Sequence, residues 1–324
     1  MKKRIYKKKI TAMCMLITLL LSQLCLSGCN RSDDGGGSSG GDSGENSGTS
    51  RTTVTDIKMP EASGTTVFQN ATGTFIMDAS HTESGYVLIK YSGDADKIQI
   101  QVTDPTGVRT PYPMEIGDYE VISFVKGNGT YQVDCLEHIS GTSYAVGISE
   151  SLDVQLSDEF QPFLYPNQYS DYKTDSACVS KGKELSQKSS DDIDYLTKVY
   201  HYVTENIAYD EEFAANIPAN YIPNPDSTMS TGKGICLDYA SVTLAMLRSQ
   251  GIPTKLEVGY SGEAYHAWIS VWTEETGWID RVIQFNGDEW TLVDPTLGAN
   301  ENNDDDSLRK YIGDGSNYTL QFEY

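Results

Sequence analysis

The sequence predicts an α+β protein in which an all-β, immunoglobulin-like sandwich precedes a domain of helices packed on a small antiparallel sheet. Three observations predict it. Runs of alternating polarity, YVLIKY, KIQIQVTDPTG, YEVISFVKGNGTYQVDCLEH and SYAVGIS, recur roughly every ten residues, the rhythm of short antiparallel strands. From Ser189 the period changes, and Ile193, Leu196, Val199, Val203 and Ile207 mark one face of an amphipathic helix. Then GKGICLDYASVTLAMLRSQGIP sets Cys236 between a glycine turn and a mostly apolar helix, which Gly251 and Pro253 stop.

The chain opens with a basic stretch, MKKRIYKKK, an apolar one, ITAMCMLITLLLSQLCL, and the box LSGC ending at Cys29. This arrangement resembles the leader of bacterial lipoproteins, which implies lipidation of Cys29 and a place on the outer face of the cell membrane. Retention of the segment as a membrane anchor is the alternative, although its apolar run is short for a spanning helix. Residues 30–50 are mostly Gly, Ser, Asp and Asn and read as a flexible tether. The expected organisation is a signal peptide over 1–28, a tether over 29–51, the sandwich over 52–156 and the catalytic domain over 157–324. Within the sandwich, Asn128-Gly129 between two strand runs predicts a hairpin.

With 24 basic and 46 acidic residues the net charge is −22, and loss of the six basic residues of the leader takes it to −28. That excludes nucleic acid as a partner and argues against basic-patch contact with an anionic membrane; it favours neutral or cationic substrates. Once Cys14, Cys25 and Cys29 are assigned to the leader and its lipid, Cys135, Cys178 and Cys236 remain. A Cys135–Cys178 pair would leave Cys236 free, but the alternation of Cys135 with Tyr131 and Val133 favours a buried unpaired thiol.

Three residue types needed for acyl transfer recur around the glycine turn. Gly232 and Gly234 let the chain bend into the helix, whose unpaired N–H groups favour negative charge on Cys236. HAWISVW supplies His266 on a strand whose Ala267, Ile269 and Val271 should face the core, leaving His266, Trp268, Ser270 and Trp272 on the other face as the wall of a groove. EWTLVDPTLG supplies Asp294 before a proline, at a strand end. Each has a plainer reading: a core cysteine, a structural histidine and a turn-forming aspartate. A metal site is not expected, because there is no C-x-x-C or H-x-x-x-H spacing, and the acidic run around Asp304 lacks the glycine and closing glutamate of a calcium loop.

The order Cys, His, Asp, inside NIAYD, YIPNPDSTMSTGKGIC, RSQGIPTKLEVGY, HAWISVW and EWTLVDPTLG, resembles the transglutaminase-like superfamily, a branch of the papain-like thiol enzymes, over roughly Asp191 to Gly298. The resemblance implies that Cys236 is the nucleophile, His266 the base and Asp294 the group that orients the imidazole, with no cofactor. It implies thiol-mediated acyl transfer or amide hydrolysis, as a protease or deamidase, on protein or peptide substrates associated with the cell wall. Animal members are thought to use an upstream tryptophan at the oxyanion. Here Trp268, Trp272, Trp278 and Trp290 all follow the cysteine, so Asn206 or Tyr209 is the expected second donor beside the Cys236 N–H, which puts crosslinking in doubt. A non-catalytic binding or adhesion scaffold that keeps the fold is the alternative.

Overall fold

Alternation builds two antiparallel four-stranded sheets. One has the order β1-β2-β3-β6, from β1 (Val67–Gln69), β2 (Phe75–Asp78), β3 (Tyr86–Tyr91) and β6 (Glu120–Ser123); the other is β5-β4-β7-β8, from β4 (Ile98–Thr103), β5 (Arg109–Tyr112), β7 (Gly129–Ser140) and β8 (Ser143–Val154). Phe75, Met77 and Ile89 of the first sheet and Ile100, Val102, Val133 and Cys135 of the second are buried in a common core, as face-to-face sheets require. The computed structural model describes residues 51–324 apart from 219, 262–263, 286–289 and 293–317. Cys29, the tether up to residue 50, Asp294 and the acidic run around Asp304 lie outside the described residues. No described helix is long and apolar enough to cross a membrane.

The hairpin expected at Asn128-Gly129 is absent. β6 pairs with β3 while β7 pairs with β4 and β8, so this turn is a corner that carries the chain from one sheet to the other. The glycines meet the local demand, with φ 76° at Gly127 and 144° at Gly129, but burial of both inner faces decides which strands pair. Tyr131 ties the corner: its hydroxyl donates to the Gly127 carbonyl at 2.9 Å and accepts from the Lys126 N–H at 3.0 Å, much like the tyrosine corner of immunoglobulin-like sandwiches. The long hairpin is β7–β8, which turns at Gly141, φ 57°.

The second half packs helices on a five-stranded antiparallel sheet. The helices are α1 (Ala177–Gln187), α2 (Asp192–Asn206), α3 (Glu211–Ala214), α4 (Pro225–Thr231) and α5 (Cys236–Ser249). A short parallel pair, β9 (Ala208–Tyr209) with β10 (Lys233–Gly234), precedes α5. The sheet has the order β14-β13-β12-β11-β15, from β11 (Thr254–Ser261), β12 (Ala264–Thr273), β13 (Gly277–Phe285), β14 (Trp290–Leu292) and β15 (Tyr318–Glu323). The periodicity of α2 is realised, with Leu196, Val199 and Val203 buried and Asp191 capping through the Asp194 N–H. Helix α1 carries a weaker signal. Its Gly182 lies so close to α5 that a Cβ there would sit 3.1 Å from Met246 Cα.

Ala267, Ile269 and Val271 of β12 enter the core beneath α5, as alternation predicts. The opposite face is covered as well: Trp268 and Ser270 are buried, the Ser270 hydroxyl donates to Glu257, and Trp272 lies 4.3 Å between ring centroids from Phe160. One hydrophobic cluster runs from the sandwich through the helices, and the described residues belong to one compact unit.

Two arginines fasten it. Arg248, only 2% exposed near the end of α5, donates to the carbonyls of Tyr165, Thr254 and Tyr324 at 2.7–3.2 Å, and burial lowers its guanidinium pKa to about 10. Arg51 donates to Asp192, to Ser186 and to the Gln250 carbonyl at 2.6–2.7 Å, while its own N–H reaches the Ser189 carbonyl.

Candidate active site

The approach to Cys236 needs both glycines, for different reasons. Gly232 closes α4 in the left-handed region at φ 63°. At Gly234 a Cβ would lie 2.6 Å from Cβ of Asp238, so any side chain collides there. Asp238 holds the turn that follows: one carboxylate oxygen accepts the Ile235 N–H at 2.8 Å and the other the Tyr221 hydroxyl at 2.6 Å. This aspartate, 2% exposed in the first turn of α5, had no distinguishing sequence signal except its place three residues after the helix N-cap.

Cys236 is the first residue of α5 and is half-buried. Burial raises its thiol pKa; the backbone N–H groups of Ala267, Leu237 and Cys236 itself pull it down, and the Asp238 charge adds to the rise. The net direction is upward. The helix terminus therefore does not by itself make a thiolate, contrary to the sequence expectation, because desolvation outweighs the N–H groups. Cys135 and Cys178 are fully buried free thiols, and burial pushes Cys135 up to about 12 and Cys178 further.

His266 stands in β12 opposite Gly259 of β11, where a Cβ would come within 2.1 Å of the Thr319 carbonyl oxygen. Burial keeps its imidazole below the ordinary value of 6.5. Burial thus works against the charged form of each partner, the thiolate and the imidazolium. Both side chains, with Ala267, line one cleft of about 410 Å³.

The other candidate residues divide. Tyr209 of β9 is half-buried beside β10 and is not among the residues lining the cleft; its phenol is raised by burial first and then by electrostatic interaction with Cys236 and Glu211. Asn206 is exposed on the last turn of α2, where its amide donates to the Tyr202 carbonyl at 2.7 Å, and it is not part of the cleft. Trp268 is buried in β12 and is not among the residues lining the cleft. Asp294 follows β14 by two positions, outside the described residues. The Ala267 N–H at the sulfur had no signature, since any non-proline residue at that strand position supplies one.

Residues 180–281, from α1 through most of β13 and including Cys236 and His266, match the family model of the transglutaminase-like superfamily. This segment is a transglutaminase-like domain. The chain is 28% identical over 213 residues to an uncharacterized protein of Mycobacterium leprae, covering 55% of this chain and 63% of that protein. It is 30% identical over 112 residues to a protein of Methanocaldococcus jannaschii, covering 30% and 32%. It thus spans less than two thirds of either relative. Among solved structures, the transglutaminase-like fold is similar to that of a candidate cysteine protease from Cytophaga hutchinsonii (17% identity, TM-score 0.34, 56% of this chain and 70% of that one). Red sea bream transglutaminase is a second such structure (14% identity, TM-score 0.25, 65% and 48%).

Proposed function

We propose that this protein is a cell-surface lipoprotein whose transglutaminase-like domain performs thiol-mediated acyl transfer or amide hydrolysis on protein or peptide substrates. One observation carries the reading: α5 and β12 deliver the Cys236 thiol and the His266 imidazole into the same cleft. His266 takes the thiol proton as sulfur attacks the amide carbonyl. Collapse of the tetrahedral adduct breaks the C–N bond, and the proton on His266 goes to the leaving amine. Water or a second amine then attacks the thioester, returning the thiol. The N–H groups of Ala267, Leu237 and Cys236 stabilise the charge developing on sulfur. Asp294 orients His266, and no cofactor takes part.

The raised thiol is the observation that favours a second reading, a non-catalytic scaffold. Incubation with a fluorescent amine and a glutamine-bearing protein pool, followed by mass spectrometry, separates the two. Crosslinked, deamidated or cleaved products are expected from the wild type and not from Cys236→Ala; products made equally by both proteins rule out the thiol.

Anchoring is a separate part of the proposal, resting on the LSGC box. Cys29→Ala is expected to lose lipid labelling and to leave the detergent phase. Retention of the label by that variant refutes lipidation at Cys29.

A further inference from the structure

We propose that the sandwich supplies the substrate-selecting wall of the Cys236 cleft, and that this wall selects uncharged aromatic or aliphatic acyl groups over charged ones. The inference deepens the proposed function and rests on Cys236 acting as the acyl-accepting thiol.

Opposite Cys236 and His266, the cleft is lined by Ile98 and Gln99 of β4, Pro111 and Tyr112 of β5, Pro113 just after it, and Tyr144 of β8. These strands lie in one sheet, order β5-β4-β7-β8, and bring this edge of the sandwich to the thiol. The wall is held in place. The Tyr324 hydroxyl donates to the Pro111 carbonyl at 3.1 Å, the Tyr112 and Tyr324 rings meet edge to face at 5.1 Å, and the Gln168 amide donates to the Pro113 carbonyl at 3.3 Å. Tyr144 is positioned from behind by the His138 ring at 5.2 Å, itself fixed by Asp96 at 2.7 Å and the Gly141 carbonyl at 3.1 Å.

The character of the lining is what selects. The chain has 46 acidic residues, yet among the described residues the cleft lining holds six tyrosines and no Asp, Glu, Lys or Arg. A charged side chain entering there loses its water and meets no opposite charge among the described lining residues, whereas an apolar one gains from leaving water. Tyr112 and Tyr324 are buried and form the floor; Tyr144, Ile217 and Tyr265 are exposed at the mouth. The volume of about 410 Å³ falls in the range of small-ligand sites and suits a large side chain beside the attacked amide.

The test uses the full chain with N-acetyl chloromethyl ketones of phenylalanine, lysine and glutamate. Sulfur displaces chloride: the C–S bond forms, the C–Cl bond breaks, and the thiol proton passes to His266 or water. The rate at Cys236, read by peptide mass spectrometry, is divided by the same protein's iodoacetamide rate at Cys236. The phenylalanine probe is expected to react at least about 10-fold faster than either charged probe on this scale. Tyr144→Ala should lower that preference about threefold or more, and Gln99→Glu should raise the lysine probe relative to the glutamate probe by a similar factor. Equal or faster reaction of the charged probes, or ratios unmoved by both substitutions, overturns the inference and leaves the thiol reading standing. If iodoacetamide modifies Cys236 no faster than Cys135 or Cys178, the thiol reading fails and takes the inference with it.

Discussion

Asp294→Asn is expected to lower turnover on the order of 10⁴-fold while the protein stays folded. The carboxylate in such a triad accepts the N–H of one imidazole nitrogen, so the other is left unprotonated toward sulfur, and it stabilises the imidazolium once the proton has moved. An amide in its place can hold the wrong tautomer. The need is greater here than for a preformed ion pair, because burial works against both partners in their charged forms: it raises the Cys236 thiol and lowers the His266 imidazole. Turnover is compared with that of the wild type once a substrate is in hand, with circular dichroism and melting as checks on folding. Wild-type turnover in a folded Asp294→Asn protein removes Asp294 from the triad and leaves Cys236 with His266 as the catalytic unit.

The largest expected loss of stability follows from Arg248→Met. Arg248 joins α5 to three separate segments through the carbonyls of Tyr165, Thr254 and Tyr324, the last two through buried bonds. Methionine keeps much of the stem and removes every donor; the Tyr324 carbonyl keeps the Leu256 N–H at 2.9 Å, while the Tyr165 and Thr254 carbonyls lose their bonds to the guanidinium, at about 1–3 kcal/mol for each acceptor left unpaired. Relief from burying a charge offsets part of this, which leaves a net destabilisation of about 2–4 kcal/mol. Arg248→Lys should recover only a fraction, since one ammonium cannot reproduce the planar fork. Urea melts with an unchanged m-value provide the measurement. A midpoint for Arg248→Met at the wild-type position contradicts the role assigned to this side chain.

Most of the fold was legible because its elements announce themselves locally. Strand alternation marked β3, β4, β7 and β8, helical spacing marked α2 and α5, and the glycine turn before Cys236 required both of its glycines. What the sequence hid is tertiary. Asn128-Gly129 looks like a hairpin until the pairing of β6 with β3 is known, since a turn signal does not say which sheet receives the next strand. Trp268 alternates with core residues and so reads as outward-facing, but the sheet is covered on both sides. Asn206 sits beside a matching motif, yet its amide is spent on its own helix. The position of Cys236 at a helix start suggested a lowered thiol pKa, and only the packing around it reveals the opposing desolvation. The cleft wall has no local signature at all, because Tyr112 and Tyr144 precede the thiol by about a hundred residues and meet it only through the packing of the sandwich.

The Arg51 clamp decides where a mechanical load goes. A pull on the polypeptide at residue 51 is carried first by the guanidinium bonds to Asp192, Ser186 and Gln250 and by the backbone bond to Ser189, all of them on the helical side of the molecule. The strands of the sandwich come later along the chain and stay out of the force path until those bonds part. With the proposed lipid anchor at Cys29, drag on the protein would load Ser186, Ser189, Asp192 and Gln250 before it could peel β1 from its sheet.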